Sequence, residues 1–369
     1  MNIALLGFGT VGSHVYKMVE GRSDLTVTTV LSRRPRPELT CTVTADFDEI
    51  VRDKSVDIVV EVMGGVEPAY SYLTAAMRAG KHVVTANKQL MCAHYEELLT
   101  LAKACGVSLR CTAAAGGGIP WLVSLSRAEQ MDTIDAVEGI LNGTTNYMLS
   151  AMTNQGADYA AILKEAQALG YAEADPTADV EGLDARRKLV LSANLAFGVS
   201  VREEAIPCVG ISHITAADID KAKELGLTFK LIARAEKRGG KVAAFVCPTL
   251  FPVSAPEAHT DGTGNLVSLY ARRIGKQSFS GAGAGGYPTA SNVVADCLAV
   301  RRGCGSYYTD KAVPCAVDNS AAEGRWFFRH NGSYLFGDYD AETAFEVYET
   351  YCGDDPGALM ARVAAPAEE

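Results

Sequence analysis

The sequence predicts an α/β protein. An N-terminal, doubly wound nucleotide-binding domain of Rossmann type is expected before an α+β domain built on a mixed sheet. Three observations carry this. Residues 1–112 alternate short apolar runs with amphipathic stretches at strand–helix spacing, which argues for a parallel sheet with helices on both faces. The short runs are apolar throughout, as strands are when both sheet faces are covered. From Gly116 that rhythm gives way to glycine loops and an antiparallel pattern.

In chain order, strands are expected over 2–6, 25–31, 57–62, 82–85 and 107–110, and helices over 10–20, 47–53, 67–79 and 94–104. The run Gly116-Gly117-Gly118 then meets Ile119-Pro120 and a helical stretch. A strand over 135–141 leads into Asn142-Gly143-Thr144-Thr145-Asn146, and helical patterns cover 159–168 and about 180–197. Residues 228–236 and 241–246 read as a hairpin around Arg238-Gly239-Gly240. A second glycine loop, 281–286, precedes Pro288. That proline opens a helix, because the N–H it lacks is unpaired in a first turn anyway. The expected division is a nucleotide domain over 1–130, rejoined by about 286–303, a substrate and dimerisation domain over 131–285, and an aromatic, acidic appendage over 304–369.

With 369 residues the chain can bury a sizeable core without a disulfide or metal staple. Hydrophobic residues at 48% and charged residues at 21% match ordinary globular composition and exclude a disordered chain. The formal charge of −10 argues against nucleic acid as the main partner, since an acidic chain gains nothing from releasing counterions. No run of ~18 apolar residues suggests a membrane span. The start reads straight into a strand without a basic stretch or cleavage signal, so a cytoplasmic chain without a secretory leader is expected. The ten cysteines contain no C-x-x-C pair, which suits a reducing compartment. Scattered histidines and cysteines argue against zinc.

Gly7-x-Gly9-x-x-Gly12 directly follows the first strand and opens the first helix, with Phe8, Thr10 and Val11 completing the turn. Gly7 permits the tight turn, Gly9 lets a pyrophosphate approach the backbone, and Gly12 lets helix and strand pack closely. The helix start then offers unpaired N–H groups to the phosphates. Its bland alternative is a tight glycine turn without a ligand. The second strand ends Val30-Leu31-Ser32-Arg33-Arg34, without the carboxylate that receives the ribose 2′-OH of NAD. Arg33 and Arg34 suit a 2′-phosphate, because guanidinium forks match phosphate geometry. NADP is therefore expected over NAD, the alternative being a solvated arginine pair.

Lys88, in Thr85-Ala86-Asn87-Lys88, falls beyond the carboxyl end of a strand, where open parallel sheets bind ligands; otherwise it is a surface lysine. The densest stretch holds five carboxylates within twelve residues: Glu173, Asp175, Asp179, Glu181 and Asp184. Asp184 and Lys188 stand four apart on one helix face, on a stripe continuing to Leu191 and Leu195. Burial favours a neutral lysine and a neighbouring carboxylate favours a charged one, so such a pair can exchange protons near neutrality. A plain helix salt bridge remains the alternative.

Over about residues 1–303 the sequence resembles the homoserine dehydrogenases. The matching pieces are the N-terminal glycine motif, Thr85-Ala86-Asn87-Lys88, Gly116-Gly117-Gly118-Ile119-Pro120, Gly139-Ile140-Leu141-Asn142-Gly143-Thr144-Thr145-Asn146-Tyr147, Gly170-Tyr171-Ala172-Glu173-Ala174-Asp175-Pro176, Gly182-Leu183-Asp184-Ala185-Arg186-Arg187-Lys188, and Gly283-Ala284-Gly285 with Pro288-Thr289-Ala290-Ser291. The resemblance implies reversible NAD(P)H-dependent reduction of L-aspartate 4-semialdehyde to L-homoserine, in the synthesis of threonine, methionine and isoleucine. It implies Lys188 as proton donor and Asp184 as the group holding that lysine and the substrate. Glu173 is implied to hold the substrate amino group, with Asp179, Asn142 and Thr144 lining the substrate. Lys88 is implied beside nicotinamide and substrate, and Gly170, Gly283 and Gly285 as cofactor-contacting backbone.

The resemblance also implies a sodium ion on the backbone carbonyls of Thr112, Ala115, Gly117 and Ile119, and a homodimer or homotetramer. Thr112 stands where many members carry an acid, Ala178 where some carry a carboxylate, and Thr260-Asp261 where Pro-Leu is usual. The C-terminal 66 or so residues read as a shortened ACT-like region or as a dimer-supporting extension. A monofunctional enzyme is expected. Two rivals are a dehydrogenase of another amino-acid semialdehyde and a nucleotide-binding redox sensor without catalysis.

Overall fold

Six parallel strands form the first sheet, in the order Thr42–Thr44, Thr26–Leu31, Asn2–Leu6, Ile58–Glu61, His82–Thr85, Leu109–Arg110. This is the doubly wound order, with the direction of winding reversing at Asn2–Leu6. That central strand is nearly fully buried, and Leu5 lies in register with Val30 on one side and Val60 on the other. The edge strand Thr42–Thr44 was not anticipated, being short and half-exposed. In the computed structural model, which describes residues 1–308 and 312–364, this sheet belongs to a unit of Met1–Arg127, Gly198–Ser200 and Ala282–Val313. Helix Gly286–Arg301 packs against the first helix, Thr10–Val19, in a shared core of Val15, Val19, Val293 and Cys297. The expected helix over 94–104 runs Tyr95–Ala104, and a further short helix, Lys88–Ala93, precedes it across His94.

The second unit comprises Ala128–Phe197, Val201–Gly281 and Pro314–Glu369. Its eight-stranded sheet runs Gly275–Ala282, Gly264–Ala271, Ile134–Ile140, Leu227–Arg238, Lys241–Pro252, Leu359–Val363, Glu323–His330, Ser333–Asp340. The hairpin at Gly239-Gly240 is longer than its pattern suggests, twelve residues per strand. Helix Leu183–Phe197 packs on the central strands and is buried nearly all round. Helix Ala216–Glu224 was not anticipated; Thr215 and Asp218 form a capping box at its start.

From Pro314 the C-terminal stretch, expected as an appendage over 304–369, belongs to the second unit and adds strands to its sheet. Leu359–Val363 inserts parallel to Lys241–Pro252, with Leu250 opposite Val363, and joins the hairpin Glu323–Asp340 to the sheet. Phe245, Trp326, Phe328, Phe345 and Met360 form one core there. Burying these aromatics drives the insertion, since removing each apolar side chain from water contributes on the order of 2–3 kcal/mol. Residues 309–311 and 365–369 of the expected appendage lie outside the described residues. Among the described residues no helix is long and apolar enough to cross a membrane.

Candidate active site

In the first unit, Gly7 leaves the central strand with φ +97°, and Gly9 caps a ten-residue helix. A Cβ on Gly12 would press on the Gly7 carbonyl oxygen well inside 3.0 Å, so only glycine lets this helix sit so close to the strand. A Cβ on Gly9 would meet nothing within 4 Å, and no side chain caps the helix. The first turn thus presents unpaired N–H donors, with no acidic residue among them, to open space at the sheet's reversal point. These are the features a dinucleotide pyrophosphate needs. Thr10 is exposed and Phe8 and Val11 are half-buried.

Arg33 and Arg34 are exposed beyond the second strand, in a turn closed by the Ser32 hydroxyl donating to the Arg34 carbonyl at 2.8 Å. Arg36, which the sequence reading passed over, is the guanidinium that touches the glycine turn. It lies 5.2 Å from the Phe8 ring centroid and donates to the Phe8 carbonyl at 3.2 Å. No local pattern marks it, because the contact spans 28 residues. Gly283 and Gly285 belong to this unit, and Gly286 abuts the His14 ring of the first helix. Lys88 opens its short helix behind Asn87, whose side chain caps the helix by accepting from Leu90.

The second unit assembles the acid–lysine pair. The strand Ile134–Ile140 delivers Asn142 as cap of the helix Gly143–Gln155: its Oδ1 accepts from the Thr145 N–H at 2.9 Å. Its Nδ2 donates to Asp179 at 2.7 Å and Asp184 at 3.0 Å. One amide therefore fixes a helix start and draws two carboxylates together. Asp184 Oδ2 lies 2.7 Å from Lys188 Nζ, and that ammonium donates to the Leu141 carbonyl at 2.6 Å. The two side chains are only 9% and 10% exposed. Leu191 and Leu195 continue the stripe fully buried. The pair is thus no solvated helix salt bridge. It is a desolvated ammonium with a fixed direction.

Thr144 donates its hydroxyl to the Tyr171 carbonyl at 2.6 Å, tying the helix start to the turn that holds Gly170 and Glu173. Glu173 is exposed in that turn. Gly170, at φ +75°, lies in the second unit, unlike the other candidate cofactor glycines. The sequence reading missed Lys230. It is 2% exposed and donates to Asn146 Oδ1 at 3.0 Å and the Thr260 carbonyl at 2.7 Å, and burial pushes its pKa down. Asn146 Nδ2 in turn donates to the carbonyls of Thr260, Gly262 and Gly264, so this amide and Lys230 anchor the loop over residues 260–264.

The carbonyls of Gly117 and Ile119, two of the four expected around sodium, both accept from Asn292 Nδ2, at 2.6 and 2.9 Å. Thr112 also binds Asp296, its N–H and its hydroxyl each donating at 2.8 Å, while its carbonyl accepts from the Ala115 N–H at 3.4 Å. Among the described residues no group of His, Cys, Asp or Glu side chains is placed to hold a metal ion.

Two family models match. One, described as homoserine dehydrogenase, NAD binding domain, covers residues 7–112, and the other, described as homoserine dehydrogenase, covers 120–298. The homoserine dehydrogenase of Bacillus subtilis is 42% identical over 316 residues, spanning 82% of this chain and 73% of that protein. That of Corynebacterium glutamicum is 44% identical over 323 residues, spanning 82% and 72%. Among solved structures, a homoserine dehydrogenase from Thiobacillus denitrificans superposes with a TM-score of 0.91 at 30% identity, covering 99% of this chain and 98% of that one. The S. aureus enzyme superposes at 0.79 with 32% identity and 99% coverage of both. With a phosphate-ready glycine turn in one unit and a desolvated acid–lysine pair in the other, this chain belongs to the homoserine dehydrogenase family of NAD(P)-dependent oxidoreductases acting on a CH–OH group.

Proposed function

We propose that Lys188 is the proton donor of the reaction L-aspartate 4-semialdehyde to L-homoserine, with NADPH preferred over NADH. The observation that carries this is the Lys188 ammonium, held by Asp184 and the Leu141 carbonyl in a water-poor setting. When bound, the reduced nicotinamide supplies the hydride to the aldehyde carbon. Lys188 gives its proton to the oxygen that becomes the alcohol, and takes it back in the oxidative direction. Asp184 keeps the lysine charged and aimed, because a close carboxylate favours the ammonium. Asn142 holds Asp184 and Asp179 at the start of helix Gly143–Gln155, and Thr144 belongs to the same substrate-facing turn. Glu173, exposed and anionic, receives the substrate amino group, and Lys88 stands beside substrate and nicotinamide.

The cofactor phosphates rest on residues 7–12, with Gly170, Gly283 and Gly285 as further backbone contacts. Arg33 and Arg34 take the 2′-phosphate, with Arg36 held nearby over Phe8. The working form is a cytoplasmic homodimer or homotetramer. The strand Gly275–Ala282, exposed along its length at the end of the sheet, offers a second copy an unpaired edge.

The test is homoserine oxidation with NADP and NAD in parallel, followed at the reduced-nicotinamide absorbance band. Turnover with NADP at the lower Michaelis constant is expected; a flat trace with folded protein at several pH values returns the sensor reading. Arg33→Ala should raise the Michaelis constant for NADPH roughly tenfold, as loss of a charge-assisted hydrogen bond does, and leave that for NADH nearly unchanged. Equal changes for both cofactors refute the phosphate contact.

A further inference from the structure

The segment 112–120 has the outward form of a cation site, a tight turn with several carbonyl oxygens and no side chain of its own to serve them. A short 3₁₀ turn, Thr112–Ala114, leads into Gly116 and Gly117, both at positive φ. Ile119 N–H closes the turn on the Gly116 carbonyl at 2.8 Å.

We infer that in this chain the Asn292 amide occupies the position a sodium ion would take, so that the turn is held without a monovalent cation. Asn292 lies on helix Gly286–Arg301 and is 5% exposed. Its NH2 carries two hydrogens, and its two acceptors are the Gly117 and Ile119 carbonyls at 2.6 and 2.9 Å. The orientation is fixed, because the amide oxygen turned the same way would face two carbonyl lone pairs.

Hard cations of comparable size sit about 2.3–2.6 Å from oxygen ligands. An ion bound to these two carbonyls would overlap the space now filled by Nδ2. Amide and ion therefore exclude one another.

Charge points the same way. Asp296, one helical turn from Asn292, is 2% exposed. Its Oδ1 accepts from Arg110 Nε at 2.9 Å and the Thr112 hydroxyl at 2.8 Å, and its Oδ2 accepts from the Thr112 N–H at 2.8 Å. The carboxylate nearest in the helix is thus paired with a buried guanidinium rather than turned to an ion. The Thr112 hydroxyl also lies 3.2 Å from the Tyr307 hydroxyl.

The consequence reaches the cofactor side. Gly118 N–H donates to the Ala282 carbonyl at 2.9 Å, and a Cβ on Gly117 would strike Gly283. The turn that Asn292 clamps is the one against which the 282–285 loop is laid. Asn292 is a positioning residue. The inference draws on the family reading only for the expectation of an ion.

The experiment compares wild-type protein and Asn292→Ala in sodium chloride, potassium chloride and choline chloride at equal ionic strength. It reads thermal unfolding, sodium-23 NMR line width and homoserine oxidation. Wild type should show the same melting temperature and rate in all three salts and should leave the sodium line sharp. Asn292→Ala should melt lower and turn over several-fold more slowly in choline, and regain both on adding sodium, with a broadened sodium line. A wild type that melts higher or runs faster in sodium than in choline overturns the inference, as does an Asn292→Ala protein indifferent to sodium. Should that variant fail to fold, the wild-type arm decides alone. Melting and NMR read the turn whether or not turnover occurs, so failure here is distinguishable from failure of the assigned reaction.

Discussion

Replacing Lys188 by Met removes the ammonium and keeps most of the side-chain volume, so its effects are separable. Two hydrogen-bonded contacts are lost, to Asp184 at 2.7 Å and to the Leu141 carbonyl at 2.6 Å. Breaking a buried pair by deleting one partner costs about 3–5 kcal/mol. Here Asp184 keeps the Asn142 amide at 3.0 Å and both side chains are about a tenth exposed, which places the cost near the lower end, ~3 kcal/mol. A protein of this size can remain folded after such a loss. The catalytic effect is larger in kind, since the proton donor itself is gone. General acid catalysis is worth ~10²–10⁴-fold, or roughly 3–5 kcal/mol of barrier.

Single-turnover reduction of aspartate semialdehyde reads the chemical step, and NADPH fluorescence titration reads cofactor affinity separately. We expect a rate lowered at least ~100-fold with NADPH affinity unchanged, because the glycine turn belongs to the other unit. A folded Lys188→Met protein that turns over within about threefold of wild type would falsify the assignment, since no general acid contributes so little.

Three further outcomes are expected. Gly12→Ala places a methyl group against the Gly7 carbonyl and should abolish NADPH binding, with overpacking of about 1–3 kcal/mol, while the second unit's far-ultraviolet signature persists; tight NADPH binding in that variant refutes the close-packing argument. Burial pushes the thiols of Cys111 and Cys208 up to about 12 and that of Cys247 to about 11, so an alkylating reagent at mildly alkaline pH should label exposed Cys304 and spare these three until the protein unfolds. The native state holds those protons after the unfolded chain begins to release them near 9.0, so they make stability fall as pH climbs from 9.0 towards about 12; Cys111→Ala should flatten that slope, and an unchanged slope refutes the assigned burial effect.

Much of the molecule was legible because it is written locally. A glycine motif between a strand and a helix has one geometry, and the structure reproduces it with φ +97° at Gly7 and no room for a Cβ at Gly12. The i, i+4 spacing of Asp184 and Lys188 brings the two together on any helix, and they meet at 2.7 Å. Strand–helix alternation likewise determined the parallel sheet, because a parallel crossover needs a helix between its strands.

What the tertiary structure decided is how far from water these groups lie and which distant partners they have. Asn142 reaches Asp179 and Asp184 across 37 and 42 residues, and that contact turns a helix salt bridge into a held, desolvated site. Arg36 rather than its neighbours meets the glycine turn, and Asn292 fills the carbonyl turn from 175 residues away. The strand Leu359–Val363 carries no signal of its own and finds its place only because Trp326, Phe328 and Phe345 need cover. Sequence periodicity encodes which face of an element is apolar. It does not encode which remote backbone or side chain that face will meet, since that depends on packing the whole core at once.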